Sequence, residues 1–173
     1  MGALAANASG WNIDLEPQSD SCKGLPTGDA SDAALFASWL SAVRSALQPH
    51  GLRLTVAVAS WSPVLSQFGT LAPAVDRLQN MQTYNGIGEA PWTRSLDAFL
   101  KATPLRAVGV GLGAWNDSKA QWWETPKGAN AKVRLAVERK VPELAVFRLV
   151  PSTEVQPEWP LDFWWGALRA FVV

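Results

Sequence analysis

The 173-residue sequence holds one cysteine, one histidine and one tyrosine. A lone Cys22 excludes an intrachain disulfide, and with no second cysteine or neighbouring histidine it cannot build a metal site. His50 precedes Gly51 at an expected helix end, where a favourable contact with the helix dipole explains it better than catalysis does. Net charge is also lacking: fifteen basic and fifteen acidic residues cancel. No Lys/Arg cluster is available to neutralise a row of phosphates, which argues against nucleic acid as a partner. No apolar run approaches the ~18 to 20 residues of a membrane helix, so no membrane span is expected. The start, MGALAANASG, has no basic region and is too short for the apolar core of a signal peptide. No targeting segment is visible, and the compartment stays open.

What is present is a globular composition, 48% hydrophobic and 17% charged, consistent with one domain over residues 1–173. Ten tryptophans stand out. Their flat apolar faces suit both core packing and stacking on the C–H faces of sugar rings. Trp39, Trp164 and Trp165 fall in helical patterns and are expected in the core. Trp61, Trp92, Trp115, Trp122 and Trp123 fall in expected loops, where no packing period demands them, and are better ligand-contact candidates.

Along the chain, strands and helices alternate. WNIDL reads as a short strand, and SDAALFASWLSAVRSALQPHG as a helix with Ser31 as N-cap, closing near Gly51. LRLTVAVASW is a strand-length apolar run. A helical stretch near 63–74 leads to a third strand, VDRLQNMQTY. SLDAFLKATP is a helix ending before Pro104, and LRAVGVGLGAW a fourth strand. Residues 129–140 form a helix, ELAVFRLV a fifth strand and PLDFWWGALRAF a closing helix. Five β/α units in series, each strand apolar on both faces, argue for a parallel sheet covered by helices.

A doubly wound sheet calls for a Gly-rich phosphate turn opening a helix, but GVGLG at 109–113 runs into Trp-Asn-Asp. A (β/α) barrel calls for polar residues at the C-terminal ends of several strands. Asn12, Asp14 and Glu16 on one strand and Asn80, Gln82 and Tyr84 on another meet that requirement. A period of two sends each trio to one face, with Ile13, Leu15, Met81 and Thr83 pointing toward the helices. The expected fold class is therefore α/β, of the (β/α) TIM-barrel type.

The stretch GWNIDLEP places Asp14 and Glu16 on the same strand face with Cα atoms roughly 6.5 Å apart, close enough to perturb one another's ionisation. One carboxyl can then stay protonated as a general acid while the other is charged, as glycosidic bond cleavage requires. The competing reading is that both simply end a strand at a polar loop.

SGWNIDLE, residues 9–16, resembles the strand-four signature of family 18 glycoside hydrolases, the chitinases and their relatives, Asp-Gly-x-Asp-x-Asp-x-Glu. QTYN, residues 82–85, resembles the same family's Met-x-Tyr-Asp on strand six, and GLRLTVAVASW lies where strand five belongs. The motifs cover about a dozen residues, and the order of elements covers the rest. The resemblance implies that Glu16 protonates the glycosidic oxygen. Asp14 would orient the substrate's 2-acetamido group, whose carbonyl oxygen attacks the anomeric carbon, and Tyr84 would donate a hydrogen bond to that group. Asn12, Gln82 and Asn85, with the loop residues Trp61 and Trp115, are expected to bind the glycan. No metal and no organic cofactor are implied.

The sequence departs from the family pattern at four positions: Ser9 and Asn12 replace the first two aspartates, and Gln82 and Asn85 replace Met and Asp. Asp14 thus lacks the neighbouring carboxyl with which it could exchange a proton. On the last strand, where the family supplies a tryptophan floor, Phe147 or Arg148 stands. A complete barrel has eight strands and typically ~250 residues. The resemblance places this chain at strands four to eight, which implies an incomplete barrel lacking the first three β/α units. Its first and last strands are then expected to expose their edges unless the missing barrel half or a second chain covers them. The expected function is hydrolysis of N-acetylglucosamine-containing glycans by a substrate-assisted retaining mechanism. The alternative is a non-catalytic, chitinase-like carbohydrate-binding protein or an inactive fragment.

Overall fold

The computed structural model describes residues 8–15, 29–83, 88–114, 125–147 and 160–172. Strands β1 (Gly10–Ile13), β2 (Arg53–Val58), β3 (Arg77–Asn80), β4 (Val108–Gly113) and β5 (Glu143–Phe147) form one sheet in chain order. They alternate with helices α1 (Asp32–Leu47), α2 (Phe68–Leu71), α3 (Glu89–Ala102), α4 (Pro126–Glu138) and α5 (Leu161–Val172). Pairing is parallel between β1 and β2, with Asn12 opposite Thr55, and between β4 and β5, with Gly111 opposite Ala145. Sequential parallel strands, each returning through a helix, make the incomplete (β/α) barrel expected from the alternation. No helix among the described residues is long and apolar enough to cross a membrane.

The chain divides into two compact units, one of residues up to Gln79 with Ala102–Ala107, the other of Asn80–Lys101 with the residues from Val108 onward. In the first, Leu54, Val56 and Val58 share one face of β2 and are fully buried, and α1 packs against this strand. Asp76 fastens the start of the sheet. Its backbone N–H donates to the Leu54 carbonyl at 2.9 Å, and its Oδ2 accepts from the Leu54 N–H at 2.9 Å. Its Oδ1 accepts from Arg44 Nη2 at 2.6 Å and Nε at 3.1 Å. Gly10 has a packing reason: a Cβ there would stand 2.2 Å from the Arg53 carbonyl oxygen, so β1 approaches β2 only without a side chain. In the second unit all six residues of β4 are buried, and α3 presents Trp92, Leu96 and Phe99 at i, i+4, i+7 to the core.

Several element boundaries differ from expectation. Ser31 makes no side-chain cap. Asp29 caps α1 instead: its Oδ1 accepts from the Ser31 N–H at 2.7 Å and from the Ser31 hydroxyl, while Asp32 Oδ2 accepts from the Asp29 N–H at 2.9 Å. The helix expected over 63–74 is reduced to the single turn of α2 followed by a 3₁₀ turn at Ala72–Ala74. Ser62 accepts from the Leu65 N–H at 3.2 Å, and this local bond competes with helix at the start of the stretch. β3 stops at Asn80, and Met81–Thr83 form a 3₁₀ turn. Asn80 Oδ1 accepts from the Gln82 N–H at 3.1 Å, and Thr83 Oγ1 donates to the Asn80 carbonyl at 2.6 Å. These bonds divert the backbone from the ladder, so the two-residue period fails beyond Asn80. α3 begins at Glu89, six residues before the expected SLDAFLKATP segment. Pro91 is tolerated because the first-turn N–H groups have no partner within a helix.

Among the described residues, β1 and β5 are the outermost strands, β1 pairing with β2 and β5 with β4. Trp11, Leu15 and Phe147 are each about half exposed. Trp164 is fully buried as expected, but Trp39 and Trp165 are half exposed. Trp39 stacks on Phe36 of its own helix at 5.8 Å, so a helical period did not place it in the core.

Candidate functional site

Parallel strands leave the loops after their C-terminal ends as the natural place for chemistry. Asp14 stands one residue past β1, exposed. Asn12, on the strand itself, is exposed, and its Nδ2 donates to Thr55 Oγ1 at 2.7 Å. The Thr55 hydroxyl in turn lies 3.4 Å from the Trp11 carbonyl oxygen. The register that sets Asn12 opposite Thr55 makes this pair a cross-strand contact on one face. Asn12 occupies the position where the resembled signature has its second aspartate, and its amide is committed to the neighbouring strand. Trp61 follows β2 by three residues and is 47% exposed. Asn12, Asp14 and Trp61 thus all belong to the first unit, at or just beyond the C-terminal ends of adjacent strands.

In the second unit the expected trio divides. Asn80 ends β3 and is 1% exposed. Gln82 lies half-buried in the following turn, its N–H held by Asn80. Glu16, Tyr84, Asn85 and Trp115 lie outside the described residues, as do Trp122, Trp123 and Arg148. Phe147, one of two candidates for the floor of a sugar site, ends β5 and is 47% exposed.

Trp92 overturns its reading as a loop residue. It sits inside α3, fully buried, and its Nε1 donates to the Gly111 carbonyl at 3.0 Å. Thr83, expected to face the helices, is fully buried, and its Oγ1 accepts from the Gly111 N–H at 2.6 Å. Gly111 in the middle of β4 therefore has both backbone polar groups satisfied by side chains. Composition gave no sign of this arrangement. The Pro-Trp pair after Ala90, where proline suits a first helical turn, was the available clue that the tryptophan is helical.

No family model matches the sequence, and no curated protein matches it. Solved structures do match, and the fold they share is the (β/α) barrel of chitinase-type enzymes. A chitinase from Chromobacterium violaceum superimposes with a TM-score of 0.68 at 14% identity, over 99% of this chain and 68% of that one. For the Group IV chitinase of Ostrinia furnacalis the values are 0.69 and 15%, over 99% and 71%. The spore cortex-lytic enzyme of Bacillus megaterium gives 0.70 and 15%, over 98% of this chain and 51% of that one. The chain thus spans about half to seven-tenths of the length of these neighbours, and at such identities the likeness is one of fold.

Proposed function

We propose that this chain is part of a glycoside hydrolase acting on N-acetylglucosamine-containing glycans by substrate-assisted, retaining hydrolysis in a completed barrel. The observation that carries the proposal is positional. In a fold whose solved neighbours include chitinases, each resembled motif has a described residue just past the C-terminal end of a strand, Asp14 after β1 and Gln82 after β3. In this reading Glu16 gives its proton to the glycosidic oxygen as the bond to the anomeric carbon breaks. The acetamido carbonyl oxygen of the substrate forms the new bond to that carbon. Asp14 holds the acetamido N–H and balances the charge that develops, and Tyr84 donates to the acetamido oxygen. Water then opens the cyclic intermediate, returning its proton to Glu16. Asn12, Gln82, Asn85, Trp61 and Trp115 contact the sugar.

The test is fluorophore release from short N-acetylglucosamine-oligomer glycosides, by this chain and by a longer one that restores the first three strands. Glu16→Gln keeps the shape and removes the acid, so turnover is expected to fall about a hundredfold or more. An undiminished rate in that variant defeats the assignment.

A second reading, a chitinase-like protein that binds glycan without cleaving it, is favoured by one contact. Asn12 spends its amide on Thr55 rather than leaving a carboxyl beside Asp14. Saturable binding of the same oligomers with no turnover in either chain selects it.

A further inference from the structure

We propose that α5 of one copy of this chain packs along α1 of a second copy, through a matched pair of exposed apolar stripes. This contact is independent of the glycosidase reading.

Each stripe follows from sequence spacing and from burial. On α1, Leu35, Trp39, Ala42 and Ala46 recur at steps of four, three and four residues, and all four are exposed, Leu35 at 75%. On α5, Leu161, Trp165, Leu168 and Val172 recur at the same steps; Val172 is 82% exposed, Leu161 and Trp165 are about half exposed, and Leu168 is half-buried. Such steps are the a/d alternation of a helix–helix seam. At 3.6 residues per turn, each stripe lies roughly 100–140° round the helix from its buried ridge, Ala33 and Leu40 on α1 and Trp164 and Ala167 on α5. Neither stripe therefore faces the core of its own unit. The exposed side of α1 also lacks the charge that a solvated helix face carries. Its only charged residues are Asp32, in the first turn, and Arg44, which Asp76 holds at 2.6 Å. Ser41 and Ser45, also exposed, turn their hydroxyls back onto the carbonyls of Ala37 and Ser41 at 2.9 Å each. What faces outward is Ala, Ser, Leu and Trp, the composition of a helix covered on a second side.

The two stripes match in register and in size. Laid parallel, the direction that successive helices take in a parallel β/α sheet, they meet in four layers: Leu35 with Leu161, Trp39 with Trp165, Ala42 with Leu168 and Ala46 with Val172. The alanines leave room for the larger side chains opposite, as interdigitating layers require. Trp39 is oriented by its stacking on Phe36 at 5.8 Å. Because one chain carries both halves of the seam, the contact is heterologous, with α5 of each copy offered to α1 of another. Each unit adds half-exposed apolar surface from its outermost strand, Trp11 of β1 in the first and Phe147 of β5 in the second.

In size-exclusion chromatography with light scattering, the full 173-residue chain is expected at a multiple of its 18.7 kDa mass, with a dissociation constant below about 0.1 mM. Trp39→Glu and Trp165→Glu, both at half-exposed positions, are each expected to weaken association at least about tenfold. Mixed with one another, these two variants are expected to associate again, since α5 of the first and α1 of the second form one intact seam. Ala34→Glu, exposed on α1 outside the stripe, is expected to leave the mass unchanged. None of these readings depends on turnover. A parent chain that is monomeric at about 0.1 mM overturns the proposal, and the stripes then fit a β/α unit of a longer chain. Association lost in the Trp39 variant but kept in the Trp165 variant overturns it too, since α1 would then pair with itself. So does association that resists both substitutions, or a mixture no tighter than its components. Where glutamate disturbs folding, as read by circular dichroism, Leu35→Lys and Val172→Lys, at the most exposed positions of the two stripes, are judged by the same criteria.

Discussion

The two compact units fasten their strands differently. In the first, the strong contacts gather at the start of the strands, where Asp76 joins Arg44 to both backbone groups of Leu54. Past the ends of β1 and β2, Asp14 is exposed and Trp61 about half exposed. In the second unit a neutral, buried cluster of Asn80, Thr83, Trp92 and Gly111 sits just after the end of β3 and grips the adjoining strand. Strong contacts and candidate chemistry are thus held apart in the first unit, whereas in the second the buried Asn80 side chain accepts from the backbone N–H of Gln82, a proposed site residue.

Removing the charged clamp gives the largest expected effect. Asp76→Ala strands a guanidinium that is only partly exposed and a backbone N–H, and should lower unfolding stability by about 2–3 kcal/mol, read from the midpoint of a urea melt. A loss well under 1 kcal/mol would show that the first unit does not depend on it. In the second unit, Trp92→Phe keeps most of the ring and leaves the Gly111 carbonyl without its donor; about 1–2 kcal/mol is expected by the same melt. Asp14→Asn sharpens the contrast. This exposed side chain should change stability by no more than about 0.5 kcal/mol while lowering any glycosidase turnover.

The smallest effect concerns the cap of α1. The Ser31 side chain and then its backbone N–H hold the Asp29 carboxyl below its ordinary value of 3.8. A depressed carboxylate stabilises the folded chain at pH values above the ordinary one. That contribution disappears as pH falls through the lowered value. Asp29→Asn should therefore leave a slightly shallower loss of stability below about pH 4 than the parent chain shows, and identical acid profiles would remove Asp29 from the cap.

Strand and helix alternation was legible because it rests on local periods. The apolar run of β2 and the i, i+4, i+7 stripe of α3 need no knowledge of the rest of the chain. The interruptions were less legible. Asn80 and Thr83 have side chains that bond nearby backbone in a turn or point outward from a strand, and sequence alone does not weigh the two choices. The same limit misplaced the tryptophans. A helical period shows which residues share a face but not whether another element covers it, so Trp39 and Trp165 emerged half exposed and Trp92 buried.

By itself the sequence determined the class of fold, the order of its strands, the absence of an intrachain disulfide, and the motif that sets Asp14 and Glu16 two residues apart. Each follows from composition or short-range spacing. Only tertiary structure decided that Asn12 would bond Thr55 across the sheet, that Gly10 must lack a side chain opposite Arg53, and that Gly111 would be held by Thr83 and Trp92. Those contacts join residues 19 to 43 positions apart in the chain, and their existence depends on the register and approach of whole strands, which no local pattern encodes.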